Sequence, residues 1–171
     1  MLAIAGPILL FFAVAFQGNS TTWKGKAEAP FDGDSLRVRD EADRVHKVRI
    51  LGIDAPDEGQ RFFSAARDHL GKVTKDREVQ VTEVGQDAAG RTVARVRISD
   101  HDLALDMLTA GLAWYHRSAT EDPALETEER RARARNIGLW IDKDPQAPWD
   151  WRAALEKRRK ARQTPAPSPA Q

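Results

Sequence analysis

Apolar and polar side chains alternate with a period of two in four stretches: Leu36 and Val38 set between Arg37 and Arg39, then Val45 to Ile50, Val79 to Val84, and Val93 to Ile98. Each stretch has one side built for burial, which predicts strands within 31–57 and 78–98. From Gln60 to Lys75 the period changes. Phe63, Ala66, Leu70 and Val73 recur at spacings of three and four, the pattern of an amphipathic helix covering the end of a barrel. A second helix is predicted from Leu103 to Ala110, stopped by Gly111 in the left-handed conformation that suits a helix end. A third begins at Asp122-Pro123, an N-cap followed by proline at the first helical position, and runs to Gly138. Arg130, Arg131, Arg133 and Arg135 suit the negative end of its dipole. Short strands interrupted and followed by helices predict a closed antiparallel barrel with appended helices, an α+β chain that is mainly β.

The two ends of the chain follow neither period. Residues 1–16 carry no charged side chain, and Ala13-Val14-Ala15 fits the small-x-small pattern of a cleavage site. Although the run is shorter than a spanning helix needs, 1–22 is expected to be a signal peptide or membrane anchor, which makes the protein exported, periplasmic or secreted. The other reading is a buried N-terminal strand or helix. At the opposite end, between 152 and 162, Arg152, Lys157, Arg158, Arg159, Lys160 and Arg162 face a single Glu156, so 153–171 is expected to be a basic helix or tail. From Thr164 it turns proline-rich and is expected to be disordered. One domain, 23–152, remains between. A chain of 171 residues with 41% apolar side chains supports one core. The net charge of +1 neither requires nor excludes a polyanionic partner.

Composition also removes several chemistries. Without cysteine there is no disulfide framework, thiolate zinc site or cysteine nucleophile. His46, His69, His101 and His116 lack the paired spacing of metal ligands and are read as surface or packing residues. No phosphate-binding glycine loop, nucleophile elbow or dinucleotide fingerprint occurs. Charge is instead concentrated in Arg49-Ile50-Leu51-Gly52-Ile53-Asp54-Ala55-Pro56-Asp57, where a strand carries an arginine at one end and carboxylates at the other. Pro56 halts that strand. Two further turns abut strands: Asp32-Gly33-Asp34-Ser35 and Asp87-Ala88-Ala89-Gly90-Arg91.

These three pieces, in this order, resemble the staphylococcal nuclease (thermonuclease-like) family. The resemblance runs from about Phe31 to Arg152, through Gly111-Leu112-Ala113-Trp114 and Gly138-Leu139-Trp140, to Pro148-Trp149-Asp150-Trp151-Arg152. It implies a five-stranded oligonucleotide-binding (OB) barrel with three helices, and a Ca²⁺-dependent nuclease that hydrolyses DNA and RNA with little sequence preference. Asp34, Asp54 and the backbone carbonyl of Ala55 would hold the metal, since hard oxygen donors suit Ca²⁺ or Mg²⁺ and the family uses Ca²⁺. Asp32 would shape the turn or stand behind the ligands. Arg49 and Arg91 would present planar forks to the scissile phosphate, and Asp57 would be the general base. Asp57 is the main departure, because the family has a glutamate there; Glu58 is the substitute candidate. Trp114 and Tyr115 could face a base or pack under the barrel. DNA and RNA are the expected partners of a monomer, with a possible membrane tether through the N-terminal segment. Two other readings are a weakly active or inactive nucleic-acid-binding module, and a tethered interaction protein.

Overall fold

The alternation condenses into a ring of five strands in the computed structural model, which describes residues 20–163. The expected leader, apart from its last residues, lies outside that range, as does the proline-rich end from Thr164. β1 (Thr22–Pro30) pairs with β2 (Ser35–Asp40), and β2 pairs with β3 (Val45–Ile50), all antiparallel. A two-residue strand, β4 (Ile53–Asp54), follows, and α1 (Phe63–Thr74) leads to β5 (Glu78–Gln86) and β6 (Thr92–Ile98). β5 lies between β1 and β6, and β6 closes the ring against β3. That seam is parallel, Val48 opposite Thr92 and Ile50 opposite Ala94, which corrects the all-antiparallel expectation. Parallel neighbours need a long crossover, and here the crossover carries α1 and β5.

Inward positions follow the period of two. Leu36, Val38, Val48, Ile50, Val79, Val81, Ala94 and Val96 are fully buried in one core, while Arg37, Arg95 and Arg97 point outward. β1 is not legible in the sequence. Its buried residues are Gly25 and Ala27 among lysines, and backbone pairing on both sides holds it in place.

Beyond β6 the chain forms β7 (His101–Asp102), α2 (Leu103–Thr109), β8 (Trp114–Tyr115), α3 (Pro123–Ala134), a 3₁₀ turn (Gly138–Ile141) and α4 (Pro148–Gln163). There are thus four α-helices among the described residues where three are expected from the resemblance. The basic segment is the helical one of its two readings, and the expected boundary at 152 falls inside α4. α1 starts three residues later than Gln60, because Gly59 and Phe62 take positive φ of 89° and 69° and keep 57–62 as turns. α3 ends before Gly138, where Asn136 turns left-handed at φ 51°. Gly138 serves the next contact: a Cβ there would lie 2.3 Å from the Gly111 carbonyl oxygen, which accepts the Leu139 N–H at 2.8 Å. That close approach docks a second small core of Trp114, Ala132, Leu139, Trp140 and Ala147 onto the barrel through Phe62.

Candidate active site

The start of β2, the end of β3 and the start of β6 lie at one end of the barrel. Ser35 stands opposite Arg49 in the β2–β3 ladder, and Arg49 stands opposite Val93 across the seam. Register alone therefore brings the three turns singled out in the sequence to one place. Asp32 shapes its turn as expected: its Oδ1 accepts the Asp34 N–H at 3.0 Å and the Ser35 hydroxyl at 2.6 Å. Gly33 lets the turn sit flush on the neighbouring elements, since a Cβ there would lie 2.6 Å from Ala66 Cβ and 2.7 Å from Ala55 Cβ.

Asp34 and Asp54 are buried, 3% and 1% exposed, and both carboxylates meet the same nitrogen of Arg49, at 3.3 and 3.0 Å. Asp34 Oδ2 also accepts the Ala55 N–H at 2.9 Å. Arg91 lies on the same wall. Its Nε donates to Asp87 Oδ2 at 2.6 Å and its Nη1 to Ser35 Oγ at 3.3 Å, so its fork is held by its own turn beside Arg49. Asp57 is half-buried, with its N–H bonded to Gln60 Oε1 at 2.8 Å, whereas Glu58 is exposed.

Sequence reasoning misses one residue of this cluster. Arg152, from α4, donates through Nη2 to Asp54 Oδ2 at 2.5 Å and through Nη1 to Asp57 Oδ2 at 2.9 Å. Its signal in the sequence is its place at the end of Pro-Trp-Asp-Trp-Arg, which reads as a family ending and as the start of a basic run.

Taken together, Asp32, Asp34, Asp54 and Asp57 stand against the guanidiniums of Arg49 and Arg152, with Arg91 matched by Asp87. The imbalance is felt at Asp34. Burial first, then the charge of Asp32, push its carboxyl up to about 8, against the pull of Arg49 and the Ala55 N–H. Burial likewise raises Asp57, against Arg152. Asp34 Oδ1 is a buried acceptor with no hydrogen-bond partner, an uncommon state that a bound cation would relieve. Among the described residues no three acidic, histidine or cysteine side chains form a metal cluster. The donor set expected from the resemblance, two carboxylates, the Ala55 carbonyl and water, is all oxygen and fits a hard cation such as Ca²⁺.

The other candidates pack. Trp114 and Tyr115 are buried, Trp114 edge-on to Trp140 at 5.5 Å between ring centres and Tyr115 donating its hydroxyl to the Thr120 carbonyl at 2.8 Å. His46 binds Asp40 and His69 binds Asp106, each at 2.9 Å, and His116 stacks on Trp149.

The family model described as staphylococcal nuclease homologue matches residues 47–142. The chain is 32% identical over 163 residues to a micrococcal nuclease of Shigella flexneri, covering 89% of this chain and 91% of that one. An uncharacterized endonuclease of Haemophilus influenzae is 32% identical over 121 residues, 71% of this chain and 68% of its own. Protein ParB of Escherichia coli is 31% identical over 147 residues, 80% and 82% of the two chains. With its barrel, its carboxylate and arginine site and these relatives, the chain belongs to the staphylococcal nuclease family.

Proposed function

We propose that this protein is an exported, Ca²⁺-dependent nuclease that hydrolyses phosphodiester bonds in DNA and RNA with little sequence preference. The observation that carries this reading is the meeting of Asp34 and Asp54 on one nitrogen of Arg49, with the fork of Arg91 alongside. Relatives named as nucleases support the same reading. Asp34, Asp54 and the Ala55 carbonyl would hold the ion, which when bound supplies Lewis-acid polarisation of the phosphate and a template for it.

The side chains do the rest. Asp57 accepts the proton of the attacking water as its oxygen bonds to phosphorus. Arg49 and Arg91 neutralise the charge that grows on the phosphoryl oxygens. The bond from phosphorus to the 5′ oxygen then breaks, that oxygen takes a proton from solvent, and a 3′-phosphate is left. Export is proposed from the uncharged run at 1–16 alone.

The test is digestion of an oligonucleotide or plasmid with Ca²⁺ and with chelator. Cleavage should need the ion, and Arg91→Ala should lower the rate about a hundredfold. Absent or chelator-insensitive cleavage at high enzyme concentration would refute the proposal. A second reading, binding without cutting, is favoured by the short Asp57. Affinity without turnover, with log affinity falling steeply with log salt, would establish it.

A further inference from the structure

The first turn of α4 is built into the site. Pro148 is buried, and the Trp151 N–H closes the turn onto the Ala147 carbonyl at 3.0 Å. The Trp151 ring lies over Gly59, whose Cβ, if it had one, would be 3.4 Å away. Gln60 ties the two segments together: its Oε1 accepts the Asp57 N–H at 2.8 Å and its Nε2 donates to the Gln146 carbonyl at 2.9 Å. The helix start and the acidic turn are thus one packed unit. Arg152 follows directly, touching both oxygens of Asp54, at 3.3 and 2.5 Å, and one oxygen of Asp57 at 2.9 Å.

An aspartate reaches about 1 Å less far than a glutamate, and a displacement of that order costs about a hundredfold in rate. A guanidinium is a rigid fork able to fix two carboxylates relative to one another, which a flexible ammonium does poorly. We propose that Arg152 is a positioning residue for Asp57: it locks the short acid against Asp54 and so makes α4 part of the catalytic unit. This rests on the reading of Asp57 as the water-activating group. Arg152 acts through that carboxylate and is not assigned a bond to substrate.

The test uses the full chain with Ca²⁺ and an oligonucleotide, comparing wild type, Arg152→Ala, Arg152→Lys, Asp57→Glu and the double variant Asp57→Glu/Arg152→Ala. Removing the guanidinium should lower kcat about a hundredfold with KM moving by less than about threefold. Arg152→Lys should recover part of that loss. In the Asp57→Glu background, where the acid reaches further by itself, Arg152→Ala should cost less than about tenfold. Calorimetry without substrate should find Ca²⁺ binding to Arg152→Ala equal or tighter, since one cation competing for Asp54 is gone.

Wild-type kcat in Arg152→Ala overturns the proposal, and so does a change confined to KM, which would make Arg152 a phosphate ligand. Equal losses in the wild-type and Asp57→Glu backgrounds, or weakened Ca²⁺ binding, also overturn it. If Arg152→Ala melts below the assay temperature, Arg152→Lys decides: a Lys variant as stable and as fast as wild type refutes the need for a fork. Should wild type itself cut nothing, the nuclease reading falls and this inference falls with it; should wild type cut while Arg152→Ala cuts equally well, this inference fails alone.

Discussion

At the scale of single residues, the site spends stability on carboxylates that repel one another. Asp34 is surrounded by Asp32 and Asp54, is buried, and has one oxygen without a partner. Asn at this position keeps an acceptor for the Ala55 N–H and removes the ionisable charge. Asp34→Asn should therefore melt several degrees higher than wild type without metal and, if the proposed Ca²⁺ site is there, should lack the rise in Tm by mass action that the proposal expects of wild type with Ca²⁺. Thermal melts of both proteins with Ca²⁺ and with chelator check this. A variant that is less stable without metal, or still stabilised by Ca²⁺, would show that Asp34 is not held under tension for an ion. Asp34, Arg49 and Asp54 are legible in the sequence because each lies at a strand end marked by a turn. Arg152 is not. Its partner Asp54 lies 98 residues away, and nothing local separates this arginine from its solvated neighbours on α4.

At the scale of elements, the start of α3 shows how a cap and an ion pair share one carboxylate. Asp122 Oδ1 accepts the Ala124 N–H at 3.0 Å, and Oδ2 accepts from Arg95 at 2.9 Å. The Arg95 hydrogen bond holds Asp122 below the usual carboxylate range. An acid whose folded value is depressed takes up its proton first in the unfolded state, so its stabilisation is present above about pH 4 and is lost as pH falls through the folded value. Asp122→Asn keeps the cap and loses the ion pair. Its Tm deficit against wild type should be full at pH 7 and shrink as pH falls below the ordinary carboxylate range. Asp122→Ala should cost about 1 kcal/mol more through the missing cap, and should keep that part of its deficit in acid. A deficit for Asp122→Asn that does not change with pH would contradict the assignment. This cap is readable from Asp122-Pro123 alone. β1 is not, because a strand held by backbone on both sides needs little apolar pattern. The end of α3 falls short of its expected place because Asn136, not Gly138, makes the left-handed turn that stops it.

At the scale of the whole molecule, α4 runs for 16 residues from the site outward and gathers Arg158, Arg159 and Arg162 around Leu155. If nucleic acid leaves the site along this helix, replacing the three arginines by glutamine should weaken binding of a single-stranded oligonucleotide. The slope of log affinity against log salt should fall by about 0.7 for each phosphate that is no longer neutralised, while kcat holds. An unchanged slope would send the polymer along another path. The closed barrel is legible from alternation and element order, and the resemblance adds its five-stranded OB type. The parallel seam is invisible, since period two states which face is inward and not which neighbour a strand will have.

That seam also sets a clock. β3 and β6 meet only after the stretch between them has turned back on itself, and pairings so far apart in the chain are slow to form. Arg49 lies on the seam and Arg91 enters β6 just before it, so the two forks are neighbours only in the closed ring. A chain refolding from denaturant should regain its helical circular dichroism first and its power to cut last, and simultaneous recovery would mean that the ring shuts before the helices settle.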